Sequence, residues 1–171
     1  MLVFSHSKEI NGSKIGSKQL IEHIKGVLDK AVFGYYDQLS FSDKYSTLDI
    51  LKHICWLHDF GKYTKYFQDY LIYPEKADNL LKSHSNLGAV VTYNLMESIS
   101  PEIALIGYYL IKLHHSNLKD FESTIDPVGY REKIELEKFN LQIKALHDYS
   151  ELLGFLYSSH KCNTKGLREG T

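Results

Sequence analysis

Apolar residues recur along this chain at helical spacing, in stretches separated by polar connectors that hold all three prolines. Leu20, Ile21, Ile24, Val27, Leu28 and Ala31 mark one face of a helix that Ser17 can cap and that runs to about Tyr36. A second helix starts near Ser46 or Thr47; Leu48, Leu51, Ile54, Cys55, Trp56 and Leu57 make it apolar on most sides, as a central helix would be. Tyr63 to Leu71 reads as a short aromatic helix and Pro74 to Asn79 as a loop. The stretch Leu80 to Met96 holds the next helix, starting at Lys82-Ser83-His84-Ser85 with Ser83 or Ser85 as its cap, and Pro101 opens another that ends at Leu113–Ser116. After a loop over Asn117–Gly129, a last long helix runs from Tyr130 or Arg131 to about Tyr157, its buried stripe marked by Leu136, Phe139, Ile143, Leu146, Leu153 and Leu156. Met1–Phe4 reads as a short apolar start and Ser5–Gly16, rich in Gly, Ser and Lys, as a loop. No segment alternates at the period of a strand, so the pattern predicts an all-α domain of five to seven helices.

The chemistry concentrates where the second helix ends, at Ile54-Cys55-Trp56-Leu57-His58-Asp59-Phe60-Gly61-Lys62. Neutral imidazole and carboxylate both bind borderline transition metals. Gly61 lets the backbone turn sharply after this pair, and Lys62 places a cation where a phosphate can sit or where a helix C-terminus needs one. A lone His-Asp is weak, but His23, His84 and the doublet His114-His115 bring the set to five histidines and one aspartate on four segments. That is the composition of a metal site assembled by tertiary folding. Tyr63, Tyr66, Phe67 and Tyr70 read either as a packing lid or as a wall on which bases stack, with Tyr66 and Phe67 as candidate substrate contacts. His6 is open between a peripheral active-site residue and a solvated loop histidine. His53 lies beside the apolar stripe and reads as a non-ligand; His147-Asp148, among polar residues and without a following Gly-Lys, reads as surface.

Composition narrows this picture. At 171 residues, 43% apolar and 24% charged, the chain reads as one globular domain over 1–171, with 158–171 a fraying tail. No apolar run approaches a membrane span, and no basic region followed by an apolar stretch marks a secretory signal. Cys55 and Cys162 suggest no disulfide framework, so an intracellular, cytoplasmic location is expected. A net charge of −1 argues against a broad duplex-binding surface. The chain holds no G-x-x-x-x-G-K-[ST] pattern, so it is not a P-loop ATPase and cannot open a duplex by itself.

The series His23, His58-Asp59, His84, His114-His115 resembles the HD superfamily of metal-dependent phosphohydrolases. More narrowly, it resembles the HD nuclease of type I CRISPR interference, the partner of a Cascade-recruited helicase. That likeness rests on Leu20-Ile21-Glu22-His23, on His58-Asp59-Phe60-Gly61-Lys62 trailed by Tyr66-Phe67-Gln68-Asp69-Tyr70-Leu71, on Lys82-Ser83-His84-Ser85 and on His114-His115-Ser116-Asn117-Leu118-Lys119-Asp120. It covers about Ser5 to Tyr157, and Phe67-Gln68 is its most discriminating piece. The His-Asp and His-His pieces alone are shared with nucleotidases and cyclic-dinucleotide phosphodiesterases.

The resemblance implies a compact HD-type helical domain with two divalent metal ions between its helices. His23 and His58 would bind one ion, His84, His114 and His115 the other, with Asp59 bridging. Asp59, His58 and Lys62 would carry catalysis, and Lys62, Tyr66 and Phe67 would contact the substrate. So nitrogen-rich a donor set favours Mn, Co, Ni or Fe over Mg. The implied function is hydrolysis of single-stranded DNA in CRISPR interference, beside a separate helicase and the surveillance complex. Alternatives are a nucleotidase or phosphodiesterase of small nucleotides, and an inactive HD-fold interaction module. The chain departs from the family pattern at a late aspartate: Leu156-Tyr157-Ser158-Ser159-His160-Lys161-Cys162-Asn163-Thr164 has none. Asp148 is the nearest alternative, a few turns early; otherwise His160 or Asn163 substitutes, or the first metal is held loosely, or the chain stops before the complete family domain would.

Overall fold

The computed structural model describes residues 2–34, 47–116 and 130–154. It opens on an element that periodicity does not announce. β1 (Phe4–Ile10) and β2 (Ser13–Gln19) pair antiparallel, with Ile10 opposite Ser13. Asn11 and Gly12 join them at φ of 51° and 76°, the left-handed pair that a two-residue turn between twisted strands requires. The stretch read as a loop is therefore a hairpin. Its alternation is faint because, of the two strands, only Ser5 is fully buried, so neither strand carries an apolar face to advertise. Ser17 lies within β2 and caps nothing; α1 (Leu20–Gly34) starts directly after the hairpin, and Leu20 N–H donates to the Val3 carbonyl at 2.8 Å.

The helices that follow are α2 (Thr47–Leu57), a 3-10 turn (Phe60–Tyr63), α3 (Lys65–Ile72), a second 3-10 turn (Pro74–Lys76), α4 (Ser85–Met96), α5 (Pro101–Leu113) and α6 (Tyr130–Lys144). Fold class thus stands as mostly helical with one small ribbon. The long C-terminal helix is interrupted: α6 stops at Lys144, and a separate helical turn covers 150–154. Between them the backbone is drawn onto the turn that follows Asp59. Lys65 N–H donates to Ala145 C=O at 2.7 Å and His147 N–H to Tyr63 C=O at 2.8 Å, and Thr64 bridges Leu146. Such pairing outcompetes helical continuation because it satisfies the same backbone groups. α4 begins at Ser85, within the Lys82–Ser85 stretch expected to start it. His84 takes the N-cap position, and no side-chain cap bond is made there, which leaves the imidazole for the interior.

The core joins Leu20 and Ile24 of α1, Trp56 and Leu57 of α2, Phe60 and Tyr63 of the 3-10 turn, Leu87 and Ala89 of α4, Ile111 of α5 and Leu152. Two glutamines clasp polar backbone at its edge. Gln68 Nε2 donates to Phe4 C=O and to Lys62 C=O, both at 2.8 Å, while Phe4 N–H donates to Gln68 Oε1 at 3.0 Å. This ties the hairpin to the turn carrying Lys62. Gln142 Nε2 donates to the carbonyls of Leu81 and Ser83, at 2.8 and 2.7 Å, and holds the approach to His84 against α6. Gly61 is needed for proximity rather than for turning. Its φ is not positive, but a Cβ there would lie 2.2 Å from the His84 carbonyl oxygen and 2.5 Å from the His84 Cα. Among the described residues, no helix is long and apolar enough to cross a membrane.

Gln142→Ala strands two carbonyls and is expected to cost about 2 kcal/mol. In a protein of this size that lowers Tm by roughly 4–8 °C. A thermal melt within a degree of the parent would show that the clasp contributes nothing. Gly61→Ala must push the 3-10 turn away from the His84 backbone and is expected to cost ~2–3 kcal/mol; a melt and denaturant midpoint equal to the parent's would contradict so close an approach.

Candidate metal centre

Asp59 stands in the turn that follows α2, at the N-cap of the 3-10 turn, and makes no side-chain cap bond there. Its carboxylate is therefore free to point inward, where its side chain is 1% exposed. His23 comes from α1, His58 from the end of α2, His84 from the start of α4, and His114 and His115 from the end of α5. The two carboxylate oxygens face different company. Oδ2 lies 3.0 Å from His23 Nε2, 3.4 Å from His58 Nε2 and 2.9 Å from Lys62 Nζ. Oδ1 lies 3.2 Å from His84 Nε2 and 3.5 Å from His114 Nε2, and His84 Nε2 is 3.0 Å from His115 Nε2. Asp59, His84, His114 and His115 form one group whose ligand atoms lie within 4.8 Å of one another, and His23, His58 and Asp59 form another.

Hydrogen bonding on the far side of the rings decides what the near side can do. His58 Nδ1 lies 2.7 Å from the Cys55 carbonyl and His114 Nδ1 2.6 Å from the Ile111 carbonyl. A carbonyl can only accept, so in the neutral rings the N–H sits on Nδ1 and Nε2 keeps a lone pair. Those lone pairs face a carboxylate. Neither Asp59 oxygen has a hydrogen-bond partner of good geometry, nor has His114 Nε2, although all three atoms are buried. Lone pair against anion is repulsive unless a cation stands between them. A divalent ion satisfies all of these atoms at once, and backbone carbonyls behind the ligating imidazoles are the usual way such rings are aimed. The residues present fit a metal.

Charge in the site follows the same logic. Burial pushes the Asp59 carboxyl up, and His114, His23, His58 and His84 could hold it far below the usual carboxylate range only as donors; with Nδ1–H of His58 and His114 committed to carbonyls, those two rings donate nothing to it while neutral. His84 is lowered by burial against the opposing pull of Asp59. His115 is lowered to about 4, by burial and then by His114 and His84. Both therefore stay neutral near pH 7. Lys62, buried beside Asp59, has its ammonium 5.4 Å from the Phe67 ring centre.

All six residues expected as ligands thus meet around one carboxylate. Lys62 points at Asp59 rather than into solvent. Phe67 is buried with its ring 4.9 Å from that of His84, and Tyr63 is buried against Phe60 and Tyr149. Both support the site from behind, while Tyr66 and Tyr70 retain partly exposed rings. His53 is buried, with Nδ1 2.6 Å from Asp49 C=O, and joins neither group. His147 and Asp148 also join neither; Asp148 is exposed and accepts from Ser150 N–H at 2.9 Å, at the start of the final helical turn. It supplies no late aspartate to the site, and His160 and Asn163 lie outside the described residues. Sequence reasoning missed the two glutamine clasps and left His6 open. The hairpin carries His6 to 5.2 Å from the His23 ring; the Asn11-Gly12 dipeptide was the available signal for that hairpin.

No protein-family model matches the chain, and no curated protein does. Among solved structures, the CRISPR-associated Cas3 HD domain protein from Methanocaldococcus jannaschii matches with a TM-score of 0.53 at 22% identity, over 82% of this chain and 91% of that one. At that identity the likeness establishes architecture: the chain has an HD-type helical fold, and its buried His/Asp cluster is capable of holding metal.

Proposed function

We propose that the protein is a metal-dependent phosphodiesterase that cuts single-stranded DNA in CRISPR interference, in the cytoplasm, beside a separate helicase and surveillance complex. The observation that carries the hydrolytic reading is the Asp59 carboxylate, with one oxygen facing each group of imidazole lone pairs. The CRISPR reading is supported by the fold likeness and by the motif series that ends in Phe67-Gln68. Two divalent ions, when bound, supply a water acidic enough to ionise near neutral pH and positive charge for the attacking and leaving oxygens of a phosphodiester.

The chain's own residues do the rest. His23 and His58 would hold one side, His84, His114 and His115 the other, and Asp59 would span them. Lys62 is already within 2.9 Å of Asp59 Oδ2, so a phosphate drawn to the centre meets its ammonium as well. The partly exposed rings of Tyr66 and Tyr70 are the candidate surface for bases, with Phe67 bracing Lys62 and His84 beneath them. The site's recess selects the form of substrate. The ligand side chains are between 1% and 20% exposed, apart from the more open His115. A stiff duplex cannot bring one phosphate into such a cleft, whereas a single strand can bend into it.

The test is digestion in Mn²⁺ of one oligonucleotide, single-stranded and as a blunt duplex, by the parent and by Asp59→Asn. The parent is expected to cut the single strand and spare the duplex. The variant should lose at least a hundredfold in rate while keeping its circular dichroism. Equal rates on both forms would refute the recessed single-strand reading. Hydrolysis of free nucleotides with no attack on DNA would favour a small-nucleotide phosphohydrolase, and a protein that binds no metal would be an interaction module. The nitrogen-rich donors also set the metal. Mn²⁺, Co²⁺, Ni²⁺ or Fe²⁺ should support more activity than Mg²⁺ at equal concentration, and chelation should abolish it. A titration in which Mg²⁺ is best would overturn this ligand set.

A further inference from the structure

His6 is exposed and belongs to neither ligand group, yet it stands directly beside one of them. The ladder of the hairpin is irregular around it: Phe4 pairs with Gln19, His6 with Lys18 and Ser7 with Gly16, so register shifts on both sides of His6. Irregularities of this kind bend a strand and re-aim a side chain. Here the imidazole stands edge-on to His23, with ring centres 5.2 Å apart. The same separation is 5.7 Å between His23 and His58, 5.4 Å between His84 and His114, and 4.9 Å between His84 and His115. Ring separations across the whole cluster run from 3.9 Å for His114–His115 to 5.7 Å for His23–His58, so His6 stands as near its neighbour as the other histidines stand to theirs.

The tautomer of His6 is also set. The buried Ser5 hydroxyl has one hydrogen, which it donates to the Lys18 carbonyl at 3.2 Å. Both contacts are satisfied together only when the 2.8 Å contact runs the other way, with His6 Nδ1–H donating to Ser5 Oγ. Nε2 of the neutral ring keeps its lone pair. His58 and His114 are arranged alike, each with Nδ1 committed to an acceptor and Nε2 left bare. The group on the Oδ2 side has three protein donors, His23, His58 and Asp59, against four on the Oδ1 side. Asp148, the described candidate for a further carboxylate, lies elsewhere, bonded to Ser150.

We infer that His6 is a further ligand on the Oδ2 side, an imidazole from the hairpin that completes the group formed by His23, His58 and Asp59. The inference rests on the metal-centre reading above and on its two-ion form. Ser5 is then a positioning residue that holds the ring in its donor tautomer. The hairpin, pinned through Phe4 to Gln68 and the Lys62 turn, belongs to the site rather than hanging from it as an appendage.

Metal binding tests this without recourse to turnover. Co²⁺ is titrated into metal-free parent, His6→Ala, His6→Asp, Ser5→Ala and His115→Ala, followed by calorimetry and by the visible absorption of the bound ion. The parent is expected to take up two ions. His6→Ala should bind one of them as the parent does and the other at least tenfold more weakly, with an altered absorption band for that ion alone. His6→Asp should recover most of the loss, and Ser5→Ala should weaken the same ion by a smaller factor. His115→Ala should weaken the opposite ion. Parental affinities and spectra for both ions in His6→Ala would overturn the assignment, as would a parent that binds a single ion. A parent that binds none would sink the metal centre itself.

Discussion

A carboxylate taken out of water needs positive charge beside it, and Asp59 is the anion around which this molecule is arranged. Stripping such a group of solvent costs on the order of several kcal/mol. The structure answers with Lys62 at 2.9 Å and with imidazole nitrogens on both oxygens. Two of those imidazoles have committed their N–H to backbone carbonyls, so they face Asp59 with lone pairs and cannot neutralise it while uncharged. Lys62 meets one oxygen of Asp59 directly, while the two lone-pair rings leave a place that a further cation could fill. Fold and chemistry meet in that fact.

Holding such a place requires the supports to be stiffer than the repulsion they contain. The 3-10 turn after Asp59 is gripped from three directions: by Gln68, which ties it to β1; by the 145–147 backbone, which pairs with Tyr63 to Lys65; and by the start of α4, which approaches Gly61 until no Cβ would fit. Gln142 fixes the segment that delivers His84. Phe67 fills the space behind Lys62 and His84. These contacts join elements far apart in sequence, so the ligands are positioned by the whole domain and not by any one helix.

The same geometry divides the aromatic segment. The two faces of α3 meet different surroundings. Phe67, Gln68 and Leu71 are buried as scaffold, while Tyr66 and Tyr70 keep partly exposed rings. The packing reading describes Phe67, and the partly exposed rings of Tyr66 and Tyr70 are those that the proposed stacking would use.

Much of this was written in local patterns. Helical stretches and the residues able to bind metal are legible because periodicity acts over a few residues and ligand chemistry belongs to residue type. His23, His58, Asp59, His84, His114 and His115 could be named without coordinates. Other features had no local signature. The hairpin buries almost nothing, so its strands do not alternate, and only Asn11-Gly12 betrays it. The break after Lys144 comes from backbone pairing with Tyr63 to Lys65, a segment far earlier in the chain. Gly61 turned out to matter for what it touches, Lys62 for the anion it meets, and Asp148 for the helix end that claims it. Which oxygen of Asp59 each histidine faces, and the arrival of His6 beside His23, were decided by tertiary structure alone, because direction and proximity across distant segments are properties of packing and not of sequence spacing.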